Sequence, residues 1–122
     1  MPKSSIVFSK RAVLTVVIGL FFVGVYYAGP RVYFLNQIEG ICYSGDDNVS
    51  GTATQLLKGL EACLNHADVK LEFDTGSLSA TNRYELFCVN GANARLYLDD
   101  IIEAAHLEFS VSWSGRFVFR EI

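Results

Sequence analysis

Charge is absent from Ala12 to Pro30, a run reading AVLTVVIGLFFVGVYYAGP, and no acidic residue occurs before Glu39. Nineteen uncharged residues cannot form the solvated face of a surface helix. A helix apolar on every side would also overwhelm a core this small, so an ordinary buried helix is not expected.

Other absences narrow the chemistry. The chain holds three cysteines, Cys42, Cys63 and Cys88, but no C-x-x-C and no Cys/His metal spacing, so no metal site is expected. No Gly-rich phosphate loop, Ser/His/Asp order or paired-carboxylate spacing occurs, and no cofactor is expected. Basic residues are also scarce: from 31 to 122 there are seven Lys or Arg against all thirteen Asp or Glu, a net charge of about −6. Without a basic stripe the electrostatic footprint of nucleic-acid binding is missing, and anionic lipid would repel the domain.

As a helix, the uncharged run reaches roughly 28 Å, about the hydrocarbon thickness of a bilayer. Residues 12–30 are therefore expected to be a transmembrane anchor. Lys3, Lys10 and Arg11 precede it, which keeps residues 1–11 cytoplasmic and sends residues 31–122 to the outer side. Tyr26 and Tyr27 fall at its outer end, where phenol rings suit the headgroup layer. A cleaved signal peptide is the competing reading. It calls for a shorter apolar core and small residues at the cut, whereas Tyr26-Tyr27-Ala28 is a poor site.

No Pro-rich, Gly/Ser-rich or charged linker follows, so the folded part begins within a few residues of the anchor. Val32 to Tyr43 reads as a first strand and SGDDNVSG as a loop, within which Asn48-Val49-Ser50 has the form of a glycosylation acceptor. Ala53, Leu56, Leu57, Leu60, Cys63, Leu64 and Ala67 recur at helical spacing, opened by a capping box of Thr52 and Gln55. This places Cys63 on the buried face. One disulfide with a free thiol, or three thiols, both remain open.

Val69, Leu71 and Phe73 alternate with polar neighbours in a second strand that ends at the turn Asp74-Thr75-Gly76-Ser77. Tyr84 to Val89 reads as a third strand, broken by Asn90-Gly91-Ala92-Asn93. Leu98, Ile101, Ile102 and Ala105 mark a second helix with Asp99 and Asp100 in its first turn. Phe109, Val111 and Trp113, then Phe117 and Phe119, form a closing hairpin. The expected fold is α+β: a two-layer β-α-β-β-α-β-β domain behind a single transmembrane helix.

The helix LYLDDIIEAAHL feeding the hairpin EFSVSWSGRFVF resembles the short N-terminal domain of secretins and TonB-dependent receptors (STN-like), over about residues 36 to 122. The resemblance lies in pattern and implies a periplasmic module that docks other proteins. Members usually precede a β-barrel or secretin ring, and Tyr97 stands where a helix-capping residue is usual. The ExbD/TolR family shares the topology, but its transmembrane helix carries an aspartate, and none lies between Arg11 and Arg31 here.

Phe73-Asp74-Thr75-Gly76-Ser77 resembles an aspartic-protease motif, which would need two chains to bring two Asp74 carboxylates together. A helix precedes the strand where that family has β-structure, so an ordinary turn accounts for the same residues. His66 and His106 fall at helix C-termini, a sufficient structural role. The terminal hairpin is the expected docking edge, with Trp113, Phe117 and Val118 as the binding residues, although an alternating aromatic strand equally fits a core. The expected function is a membrane-anchored, extracytoplasmic protein-interaction module for envelope proteins, without enzymatic activity; an accessory subunit of a larger membrane complex is the alternative.

Overall fold

The structure is a computed structural model that describes residues 10–87 and 90–122, with the side chains at 10–13 and 23–28 not described. The expected cytoplasmic segment 1–9, the rings of Tyr26 and Tyr27, and Cys88 with Val89 of the expected third strand lie outside the described residues. The described chain runs α1 (Lys10–Glu39), β1 (Val49–Thr52), α2 (Ala53–His66), β2 (Glu72–Asp74), β3 (Arg83–Leu86), α3 (Ala94–Ala105), β4 (Leu107–Val111) and β5 (Arg116–Glu121). It is a small α+β domain with two sheets.

The segment from Val32, expected to be a strand, is the C-terminal part of α1. Pro30, Phe34, Leu35 and Ile38 are all buried, a spacing of i, i+4, i+5 and i+8 that gives one helix face. A short apolar run fits a strand and a buried helix alike, and here the helix arriving from upstream carries through Pro30. The expected boundary at residue 30 is thus crossed by one continuous helix, whose last part belongs to the domain core.

Of the expected span 12–30, burial is described for residues 14–22, Gly29 and Pro30. Among the described residues no helix is long and apolar enough to cross a membrane. Leu14, Val16, Val17, Ile18, Leu20, Phe21 and Phe22 are all exposed, outside the core.

The element order after α1 is β-α-β-β-α-β-β, but its first strand is β1, formed by the end of the segment expected to be a loop together with Thr52. β1 pairs antiparallel with β3 in a two-stranded ribbon. The other three strands form a separate sheet in the order β2-β5-β4, with β2 parallel and β4 antiparallel to β5. The strands are thus divided between two sheets.

The three-stranded sheet has one apolar face. Phe73, Phe117 and Phe119 are fully buried there with Leu107, and Phe73 lies 5.2 Å from each of the other two rings. Centroids at that distance are in the favourable range for aromatic pairs. The other face is polar, carrying Asp74–Arg116 and Glu108–Arg120 ion pairs. α2 packs on the β2 side, α3 on the β4 side, and the two helices on each other. Leu56, Leu57, Leu60, Leu64, Leu98 and Ile101 fill the space between.

Caps fix the helix starts. Thr52 and Gln55 form the reciprocal capping box read from the sequence. α3 starts four residues earlier than its apolar stripe suggested, with Asn93 as its N-cap, so Tyr97 is an interior, buried residue and not a missing cap. Asp99 and Asp100 accordingly sit beyond the first turn. Asn93 also donates from Nδ2 to the carbonyl of Glu39 at 2.6 Å, which joins the end of α1 to the start of α3. His66 ends α2, and His106 caps α3 in the left-handed conformation, φ 52°.

Candidate functional site

A docking edge needs backbone groups that no neighbour satisfies. β5 is the central strand of its sheet, so Val118 pairs with Asp74 on one side and Ser110 on the other. Phe117 is fully buried among Phe73, Phe109 and Phe119. Neither residue stands on an open edge. The reason is a crossover invisible to local pattern: β2, from the middle of the chain, adds in parallel to the far side of the hairpin.

The outer side of β2 is closed by α2. Glu72 donates its N–H to Gly115 of the hairpin turn, so the groups of Phe73 point the other way. Its N–H is taken by the carboxylate of Glu61, and its carbonyl accepts from Lys58 Nζ at 2.6 Å. Asn65 Oδ1 likewise accepts the N–H of Leu71 at 3.0 Å. On the opposite edge, Arg31 of α1 donates to the carbonyl of Phe109 at 3.0 Å and lies 4.0 Å over its ring.

The β1–β3 ribbon is different. Among the described residues it has no third strand, so both its outer sides lack a strand neighbour. A shallow cavity of about 150 Å³ lies at its end, lined by Asn48, Val49, Ser50, Glu85 and Phe87. Phe87 is 66% exposed, large for an aromatic residue. Asn48 and Ser50 of the glycosylation-type triplet thus border the ribbon end. Sequence reasoning missed Phe87 because β1 was taken for loop, which left nothing for the third strand to pair with.

Trp113, the third expected binding residue, sits in the turn between β4 and β5 and is 48% exposed. Its ring centroid is 6.2 Å from that of Tyr33 on α1.

A cleft of about 370 Å³ opens between residues 41–44 and the second half of α2, with Cys42, Tyr43, Cys63 and His66 on its walls. Cys42 is exposed and Cys63 half-buried, and neither is in a disulfide. Cys63 is therefore less enclosed than its helical position implied. Among the described residues no group of three or more His, Cys, Asp or Glu is placed to hold a metal ion. Beneath this cleft the rings of Tyr43 and Tyr97 lie 4.5 Å apart, and burial followed by the neighbouring phenol pushes the Tyr97 hydroxyl well above its ordinary range.

Asp74 ends β2 as the turn pattern predicts. Its Oδ1 accepts the N–H of Gly76 at 3.0 Å, and its Oδ2 accepts from Arg116 Nη2 at 2.6 Å. These two hydrogen bonds, the Gly76 contact first, hold its carboxyl below the usual carboxylate range. A carboxylate kept ionised by its own chain is poorly suited to sharing a proton with a second copy.

No family model matches the chain, and no curated protein or solved structure matches it.

Proposed function

We propose that this protein is a membrane-anchored, extracytoplasmic interaction module without enzymatic activity, held by the apolar run 12–30 and docking a protein partner along the β1–β3 ribbon. The anchor reading is supported by the uncharged run, by the basic residues before it and by the exposure of Leu14 to Phe22 away from the core. The docking reading rests on one observation. The three-stranded sheet has both outer edges engaged by side chains of its own chain, whereas among the described residues the ribbon has no third strand, and an exposed phenylalanine follows directly on β3. A strand added to such an edge gains main-chain hydrogen bonds, and an aromatic beside it supplies an anchor.

Two measurements test the proposal. A reporter fused after Ile122 is expected to be active outside the cytoplasm, with the full chain resisting alkaline carbonate extraction; release as a shortened soluble protein overturns the anchor. A photo-crosslinking residue at position 87 is expected to capture a defined partner, and Phe87→Asp to abolish its co-purification without loss of fold. Unchanged co-purification of that partner in Phe87→Asp overturns the ribbon as the docking edge.

A further inference from the structure

The first turn of α1 beyond Pro30 carries Arg31, Val32 and Tyr33. Arg31 is turned inward onto the ring and carbonyl of Phe109, leaving Val32 and Tyr33 as exposed apolar surface, 59% and 52% accessible. The β4–β5 turn is fixed beside them. Gly115 adopts φ +82°, a conformation open to glycine, and a Cβ there would lie 3.1 Å from the carbonyl of Lys70 and 3.4 Å from the ring of Phe34. Ser112 accepts the Gly115 N–H at 3.0 Å, and the Ser112 and Ser114 hydroxyls pair at 2.7 Å. Trp113, held in this tight turn, lies against Tyr33 with the rings tilted at 46°.

We propose that Val32, Tyr33 and Trp113 form an apolar seat, two of its three residues aromatic, that rests in the headgroup layer of the membrane that α1 enters, against zwitterionic lipid. The inference rests on the anchor reading above. Continuity of the helix carries it: α1 passes from the apolar run into the domain as one helix, which keeps the end of the domain at Tyr33 within a turn of the run's end. Tyr33 is three residues beyond Pro30, about 4.5 Å along a helix axis. The headgroup layer is roughly 5–8 Å deep on each side. Tyr and Trp are the side chains suited to it, with an apolar body and a polar tip. The net charge of about −6 on residues 31–122 disfavours an anionic surface, which selects zwitterionic headgroups.

Trp113 is the single tryptophan of the chain and reports on itself. The full chain is reconstituted into phosphatidylcholine vesicles, and flotation is measured first. Trp113 emission is then read with brominated phosphatidylcholines and with aqueous acrylamide. The expected result is flotation, a blue-shifted emission, stronger quenching by bromine placed high on the acyl chain than near its end, and weak quenching by acrylamide. Tyr33→Glu, with its helical content checked by circular dichroism, is expected to float equally while losing much of the lipid quenching. Flotation with free acrylamide quenching and no lipid quenching overturns the seat and leaves the anchor standing. A tryptophan shielded from both reagents indicates a protein contact and overturns it, as does lipid quenching that appears only when phosphatidylglycerol is added. Failure to float removes the anchor and the seat together.

Discussion

The carboxylate of Glu61 on α2 accepts the outward N–H of Phe73 on β2, so a helix side chain stands where a neighbouring strand would otherwise bond. Glu61 is held in turn by Lys58 at 3.3 Å, and the pair satisfies both main-chain groups of Phe73. Glu61→Ala leaves a partly buried N–H without its acceptor, which is expected to cost about 1–3 kcal/mol in chemical unfolding. Glu61→Gln keeps an acceptor oxygen and should recover much of that loss. Sedimentation of the alanine variant is expected to show added self-association, because the edge it exposes can pair.

Phe117 and Val118 are core and central-strand residues, and their substitution should read as lost stability. Phe117→Ala is expected to cost about 3–5 kcal/mol, the range for a buried phenylalanine. Val118→Pro removes a ladder hydrogen bond whichever side its N–H faces, at about 3 kcal/mol or more. Denaturant melts of either variant that match wild type would mean that β5 is not the central strand.

Asn93 acts on two helices at once. Its Oδ1 caps α3 by accepting the N–H of Arg95 at 2.8 Å, while its Nδ2 binds the last residue of α1. Asn93→Ala should therefore cost more than Thr52→Ala, toward the upper end of the roughly 0.5–2 kcal/mol known for caps. Asn93→Asp keeps the cap but loses the donor, and is expected to fall between wild type and alanine. Comparison of the three by urea unfolding separates the two bonds.

Asp74 gives the acid end of the stability profile a definite sign. Its carboxyl titrates lower in the folded chain than in the unfolded one, so its contribution is present above the unfolded value and fades as pH falls through the folded value. Asp74→Asn should melt slightly lower than wild type near neutral pH, with the gap closing in acid. The fold should persist, since Asn can still accept the Gly76 N–H. A gap that widens toward low pH would contradict the assignment.

Much of the local structure was legible because it rests on short-range chemistry. The Thr52–Gln55 capping box and the Leu56, Leu57, Leu60, Leu64 stripe defined α2, and alternation around Ser114-Gly115 defined the β4–β5 hairpin. Asp74 at a turn was readable for the same reason: its partner Gly76 is two residues away.

What local pattern could not supply was which element lies beside which. Val32 to Ile38 is apolar enough for strand or helix, and the decision falls to the core that receives Phe34, Leu35 and Ile38. β1 is four residues containing Ser and Gly, with little strand signal of its own, and it exists because β3 pairs with it across more than thirty residues of chain. The same holds for the candidate surface. Trp113 and Phe117 look alike in sequence, yet one is half-exposed against Tyr33 and the other fully enclosed, because β2 crosses to the far side of β5 and seals it. The sequence by itself determined the uncharged run, the charge balance, the hairpin and the start of α2. Only the tertiary structure decided that α1 continues into the core, that β5 is central and that Phe87 is left outside, since each follows from contacts between residues too far apart in the chain for any local period to encode.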